Sequence, residues 1–241
     1  NWHGQHPRRN CLCPHTQELR VLRAPQLSME EKTSITIGTY NKCAVAFQDK
    51  FMNMDLYHKS YDRLCERIET VNPRILEIGC GPGNITRYLL SKRPDFDILA
   101  TDLAEKMIEL ATVNVPQAKF RVMDCREILS INETFDAIVC GFCMPYLSDD
   151  ECAKLIADMA ALLNPGGTVY FSTMEGDDSR SGFETTSFSG SNEVYVNYHQ
   201  SDFLEKQLVQ NGFENIELIV QGYPEPDGTI SDDLIFIAAK C

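Results

Sequence analysis

The sequence predicts an α/β protein with a doubly wound, mostly parallel sheet. Three observations carry that expectation. Short apolar runs suited to strands alternate with helical stretches between residues 74 and 174, the order required by a parallel sheet covered with helices on both faces. The first of these runs passes straight into a glycine-rich turn, Gly79-Cys80-Gly81-Pro82-Gly83, and then into a helix. Two final strand-like runs are joined by a short "GYPEPDG" connection, which reads as an antiparallel hairpin at the sheet edge.

Taken in order, residues 1–28 show little periodicity and hold four arginines against one acidic residue. We expect a flexible tail there, or an extension translated from upstream of a natural start at Met29. His3, His6, Cys11, Cys13 and His15 fall in this stretch, but their spacing lacks a second ligand pair, so no metal site is expected. Residues 29–241 read as one domain, with 29–72 as a helical cap. Apolar and aromatic residues recur at helical spacing over Tyr40–Val71, with a break near Met54 or Asp55.

Strands are predicted at Arg74–Gly79, Asp97–Asp102, Lys119–Met123, Phe135–Gly141 and Thr168–Met174. Helices are predicted between them at Asn84–Lys92, Ala104–Val113 and Asp149–Leu163. The last is the best marked. Ser148 and Glu151 have capping-box spacing, and Asn164-Pro165-Gly166-Gly167 stops the helix. Residues 175–199, rich in Ser, Gly and acidic groups but interleaved with Phe and Tyr, suit an inserted flap. A helix at Ser201–Asn211 then leads to strands at Phe213–Gly222 and Asp233–Lys240.

Composition excludes several functions. The 241-residue chain has a formal charge of −13, and residues 29–241 carry 18 basic against 34 acidic groups. Such a surface repels phosphate-rich polymers, so nucleic acid is not the expected partner. Apolar runs fall short of a membrane span. Ten cysteines are scattered without the spacing of a disulfide framework, which points to a reducing, cytoplasmic setting. Oligomeric state is not legible.

The glycine turn presents backbone N–H groups at a helix N-terminus, where side chains would block a ligand. Glu77 lies in the apolar strand just before it, and a buried carboxylate needs partners. Asp102 ends the second strand nineteen residues after Gly83, placed to accept hydrogen bonds from ribose hydroxyls. Asp124 follows the third strand, within reach of an adenine amino group. Each has a plainer alternative as a helix cap, because Glu105 and Glu127 follow three residues later.

The segments "ILEIGCGPGNIT", "ATDLAEKMIELA", "FRVMDCREI", "FDAIVCGFCMPYL" and "LLNPGGTVYFST" resemble, in order and spacing, the class I S-adenosylmethionine-dependent methyltransferases. The resemblance runs over about residues 40–241. It implies a Rossmann-like, seven-stranded sheet with the last strand antiparallel, and S-adenosylmethionine as cofactor. By this similarity Gly79, Cys80, Gly81 and Gly83 would lie against the methionine moiety, supported by Glu77. Asp102 would take the ribose, while Leu103 and Met107 would contact the cofactor beside it, Leu103 against the adenine. Asp124 and Cys125 would meet the adenine edge. Gly141 and Phe142 would line the floor, and Tyr40 would cover the cofactor from the cap.

The implied reaction is an in-line displacement at the sulfonium methyl, for which the protein aligns a nucleophile and excludes water. His199 at the end of the flap is the candidate base, Tyr146 is the second catalytic candidate, and Tyr146, Tyr195 and Tyr198 are candidates to line the acceptor pocket. "CMPYL" resembles the Asn-Pro-Pro-Tyr signature of enzymes that methylate exocyclic amines, but Cys143 and Met144 replace its first two residues. With only a modest cap and flap, the expected acceptor is a small molecule. Two alternatives stand beside this reading. A nicotinamide-dependent oxidoreductase would need glycine or alanine where Asn84 stands, and a non-catalytic metabolite-binding or partner-binding member of the fold would need only the scaffold.

Overall fold

The computed structural model describes residues 27–185, 188, 190–225 and 228–241. The five His and Cys positions between His3 and His15, and the tail expected over 1–28 up to residue 26, lie outside the described residues.

The chain enters through α1 (Met29–Phe51). This helix starts eleven residues before the Tyr40 boundary read from periodicity, because Ser28 and Glu31 close a capping box: Ser28 Oγ accepts the Glu31 N–H at 3.2 Å, and Glu31 Oε2 accepts the Ser28 N–H at 2.8 Å. A non-helical Cys43 (φ −108°, ψ 16°) kinks it. The expected break falls between Phe51 and α2 (His58–Arg67).

Alternation then follows as predicted. The elements are β1 (Arg74–Ile78), α3 (Asn84–Lys92), β2 (Asp97–Asp102), α4 (Glu105–Asn114), β3 (Lys119–Val122), β4 (Phe135–Gly141), α5 (Asp149–Leu162) and β5 (Leu163–Met174). Short 3-10 turns at Cys125–Ile131 and Met144–Tyr146 flank β4. The structure differs at the start of β5. Asn164–Gly167 ends α5 as expected but belongs to the strand, with a register irregularity against β4 between Phe135 and Ala137.

The main sheet has the order β3-β2-β1-β4-β5-β9-β8, with β8 at Phe213–Pro224 and β9 at Ile230–Lys240. Strands β1 to β5 pair in parallel, and β9 inserts antiparallel between β5 and β8. The predicted terminal hairpin is therefore present, and β8 forms the sheet edge. Strand side chains feed two apolar layers. Leu76, Ile78, Ile138 and Phe171 face α5 and α6 (Ser201–Gln210), whereas Ile75, Ile98, Val139 and Tyr170 face α2 and α3. Burial on both faces explains why these strands read as continuous apolar runs.

Residues 175–199 contain regular structure that their composition hid. β6 (Gly182–Thr185) and β7 (Glu193–Val196) form a two-stranded hairpin. α1 anchors it: Thr36 Oγ1 accepts the Tyr195 N–H at 3.0 Å, and the Thr39 hydroxyl donates to the Glu193 carbonyl at 2.6 Å. No helix among the described residues is long and apolar enough to cross a membrane.

Candidate active site

β1 sits between β2 and β4, so the chain runs to one side of β1 and then to the other. The carboxyl ends of strands at such a switch point form a crevice, and the glycine turn lies there. Gly79 has φ +70°, and a Cβ on it would stand 2.9 Å from Cys143 Cβ. Both the left-handed backbone and the close approach require glycine. The Cys80 N–H donates to the Thr101 carbonyl at 2.9 Å, tying the loop to β2.

Beneath the loop, Glu77 is fully buried. Its Oε2 accepts the Thr86 hydroxyl at 2.6 Å, whereas Oε1 has no partner among the described residues. Burial pushes Glu77 up to about 8, against the lowering bonds from Thr86. Asp102 ties the glycine turn to the start of α4: Oδ2 accepts the Gly81 N–H at 2.9 Å and Oδ1 accepts the Ala104 N–H at 2.8 Å. Its carboxyl is raised above its ordinary value by burial. The capping alternative holds in part, since Asp102 orders the start of α4 while facing the loop.

Asp124 behaves differently. It caps the 3-10 turn by accepting the Arg126 N–H at 2.9 Å, and the Arg126 guanidinium bonds both of its oxygens. Arg126 also reaches Glu151 Oε1 at 3.2 Å. Burial opposes ionisation of Asp124, yet the bonds from Arg126 hold it below its ordinary value. Cys125, beside it, is raised first by its contact with Cys143 and then by burial.

The floor and roof complete the cleft. Past β4, Phe142 adopts φ +51°, and its N–H donates to the Ser172 carbonyl and hydroxyl at 3.2 and 3.0 Å. A left-handed non-glycine residue at a strand end marks local strain of the kind that clusters at functional sites. From the cap, the Tyr40 ring meets Tyr146 at 5.4 Å, and the two hydroxyls are hydrogen-bonded. Phe188 from the hairpin stacks on Tyr40 at 5.2 Å and meets Phe47 edge-on at 5.0 Å. Met107 is buried against Ala44, Tyr40 and Phe47, where α4 meets the cap.

The structure thus brings Tyr40, Glu77, the glycine loop, Asp102, Gly141, Phe142 and Tyr146 to one end of the sheet. Leu103 follows Asp102 there, half-buried. His199 is placed otherwise. It is 1% exposed, with Nδ1 2.8 Å from Asp149 Oδ1 and Nε2 3.0 Å from the Met144 carbonyl. Cys152 Sγ also lies 3.6 Å from Nε2, so both ring nitrogens of this buried side chain face protein partners, the setting of a fixed strut. Tyr195 packs on Phe183 and carries Lys32 over its ring, away from the loop. Tyr198 donates to Glu184 Oε1 at 3.1 Å. Sequence reasoning missed Thr86, Phe47, Phe188 and Arg126. Only Thr86 carried a signal, in the first turn of the helix that follows the glycine loop.

Residues 75–167 match the family model described as "Methyltransferase domain". The chain is 32% identical over 139 residues to a malonyl-[acyl-carrier protein] O-methyltransferase of Bacillus cereus, covering 56% of this chain and 50% of that protein. It is 32% identical over 96 residues to a trans-aconitate 2-methyltransferase of Variovorax paradoxus, covering 40% and 36%. The chain therefore spans half or less of the length of these curated relatives. A Burkholderia thailandensis 1,6-didemethyltoxoflavin-N1-methyltransferase, solved with bound 1,6-didemethyltoxoflavin and S-adenosylhomocysteine, superposes with a TM-score of 0.66 at 19% identity over 91% of this chain and 93% of that one. In sheet order, glycine loop and the family match over residues 75–167, the chain is similar to the class I S-adenosylmethionine-dependent methyltransferases.

Proposed function

We propose that the chain transfers a methyl group from S-adenosylmethionine to a small-molecule acceptor. The observation that carries this reading is Glu77, a buried carboxylate with an orphan Oε1 beneath a glycine cradle. An unpaired buried acceptor is costly, and a ligand bearing an ammonium group fits that deficit. When bound, the cofactor supplies a methyl already activated by sulfonium charge.

The chain's own residues bind, orient and exclude water. Glu77 would hold the amino end, and a cationic partner there favours its ionised form. Asp102 would hold the ribose hydroxyls with lone pairs left after its bonds to Gly81 and Ala104. Leu103, Met107 and Cys125 would flank the adenine, and Asp124 would reach its edge only through lone pairs that Arg126 leaves open. Tyr40 and Tyr146, joined across the cleft, would close it against water with Phe188. His199 serves this site as a support, fixing the turn Met144–Tyr146 through the Met144 carbonyl. Asn84 occupies the position where a dinucleotide loop needs glycine, which disfavours the oxidoreductase alternative.

The test is incubation of the protein and isotopically labelled S-adenosylmethionine with a metabolite extract, read by mass spectrometry. A labelled small-molecule product is expected, absent with Asp102→Ala. Label confined to protein or RNA would overturn the acceptor class.

A further inference from the structure

Glu77 is a carboxyl enclosed by neutral groups. Its side chain is fully buried, with Ala100 of β2 and Val139 of β4 as strand neighbours. Thr86 of α3 donates its hydroxyl to Oε2 at 2.6 Å, while Oε1 meets no partner and no Lys, Arg or His bonds either oxygen among the described residues. Three titratable groups surround it: Asp102 at the end of β2, Tyr61 of α2 and Cys80 of the glycine turn. Burial pushes Tyr61 and Cys80 well up, so both are neutral near pH 7. Asp102 adds only like charge.

One hydroxyl does not compensate a carboxylate taken out of water. In the empty cleft Glu77 therefore keeps its proton near pH 7, in keeping with its rise to about 8 through burial. A cation set against Oε1 reverses that balance, because the ion pair then replaces the lost hydration.

We propose that a ligand ammonium reaching Oε1 expels the proton of Glu77, so that cofactor binding is coupled to proton release and pH sets the occupancy of the cleft. The proposal rests on the methyl-transfer reading and names the regulation of that same site. On binding, the Glu77 O–H bond breaks and its proton passes to the buffer. Oε1 then accepts an N–H from the ammonium, which keeps its own protons, and Oε2 keeps its bond from Thr86. Below about pH 7 the free ligand amine is already charged, so close to one proton leaves per ligand bound and affinity rises with pH. A ligand with the same nucleoside and sulfur but no ammonium offers Oε1 no charge, and Glu77 stays protonated beneath it.

Isothermal titration of the full chain with S-adenosylhomocysteine tests the coupling, at about pH 6.5 in phosphate and in imidazole, buffers whose heats of ionisation differ. The difference in heat is expected to report close to one proton released per ligand, and affinity to rise about thirtyfold between about pH 5.5 and pH 7, the limit of tenfold per pH unit. 5′-Methylthioadenosine, which lacks the amino-acid end, is expected to bind with no proton released and no pH slope. Glu77→Gln is expected to bind S-adenosylhomocysteine more weakly, with neither release nor slope. Release below about half a proton by the wild type overturns the proposal, as does equal release with both ligands. Release retained in Glu77→Gln overturns it too, since another carboxyl, Asp102 first, would then be the source. Should Glu77→Gln lose its fold, the comparison of the two ligands on the wild type carries the same refutation. Failure of the wild type to bind S-adenosylhomocysteine at any pH strikes the methyl-transfer reading instead, whereas binding without release strikes the coupling alone.

Discussion

Glu77 and Asp102 divide the work of the glycine loop between them. Asp102 orders it, taking one N–H from the loop and one from α4; Glu77 waits beneath it with one oxygen unpaired. Removing the Asp102 carboxylate deletes a charged acceptor and releases both N–H groups. Asp102→Ala is expected to weaken S-adenosylhomocysteine by at least about 1.5 kcal/mol, and an unchanged dissociation constant would reject its ribose role. Glu77→Gln separates stability from binding. The folded pKa of Glu77 lies near 8 against an ordinary 4.5, so its contribution to stability is complete below about pH 4.5 and is lost as pH rises through about 8. The variant should flatten the fall of Tm across that window while binding the cofactor product more weakly. A Tm profile parallel to the wild type would contradict the burial argument. Both carboxylates were legible in the sequence, because each is a charge at the end of an apolar run. The bond between Tyr57 and Asp233 was not, since it joins residues 176 positions apart, and no local pattern encodes such a distance.

At the scale of elements, the parallel core was legible because its strands are buried on both faces and its helices are amphipathic. The hairpin β6–β7 was not. Its four-residue strands lie in a Ser- and Gly-rich segment, and their order comes from Thr36 and Thr39 on α1 and from the ring of Phe188 against Tyr40 and Phe47. The start of α1 at Met29 follows from the capping box of Ser28 and Glu31, which hydrophobic periodicity from Tyr40 onward does not reveal. Val194 and Val196 are also buried against the cap, so the hairpin docks through one apolar cluster of which Phe188 is a member. Phe188→Ala is expected to speed proteolytic cleavage between residues 182 and 196 and to weaken cofactor-product binding, with far-UV circular dichroism unchanged. Cleavage at the wild-type rate would show that Phe188 does not hold the hairpin to the cap.

The molecule as a whole joins a standard scaffold to an unusual charge balance. Its formal charge of −13 is gathered in part around the cavity beside β9, where Glu175, Glu184, Glu225 and Asp232 meet. Asp233 adds to the pH dependence with the same sign as Glu77: its folded pKa near 6 exceeds the ordinary 3.8, so stability is lost as pH rises between those values. The apo protein is therefore expected to be more heat-stable at pH 5 than at pH 8, and a ligand that pairs with Glu77 should narrow the difference. The central claim is that the Glu77–Asp102 cleft holds S-adenosylmethionine. It is tested most directly by isothermal titration of the wild-type chain with S-adenosylhomocysteine and, separately, with NAD. One-site binding of S-adenosylhomocysteine in the micromolar range, with no heat from NAD, is the expected result; binding of NAD with none of S-adenosylhomocysteine would contradict it.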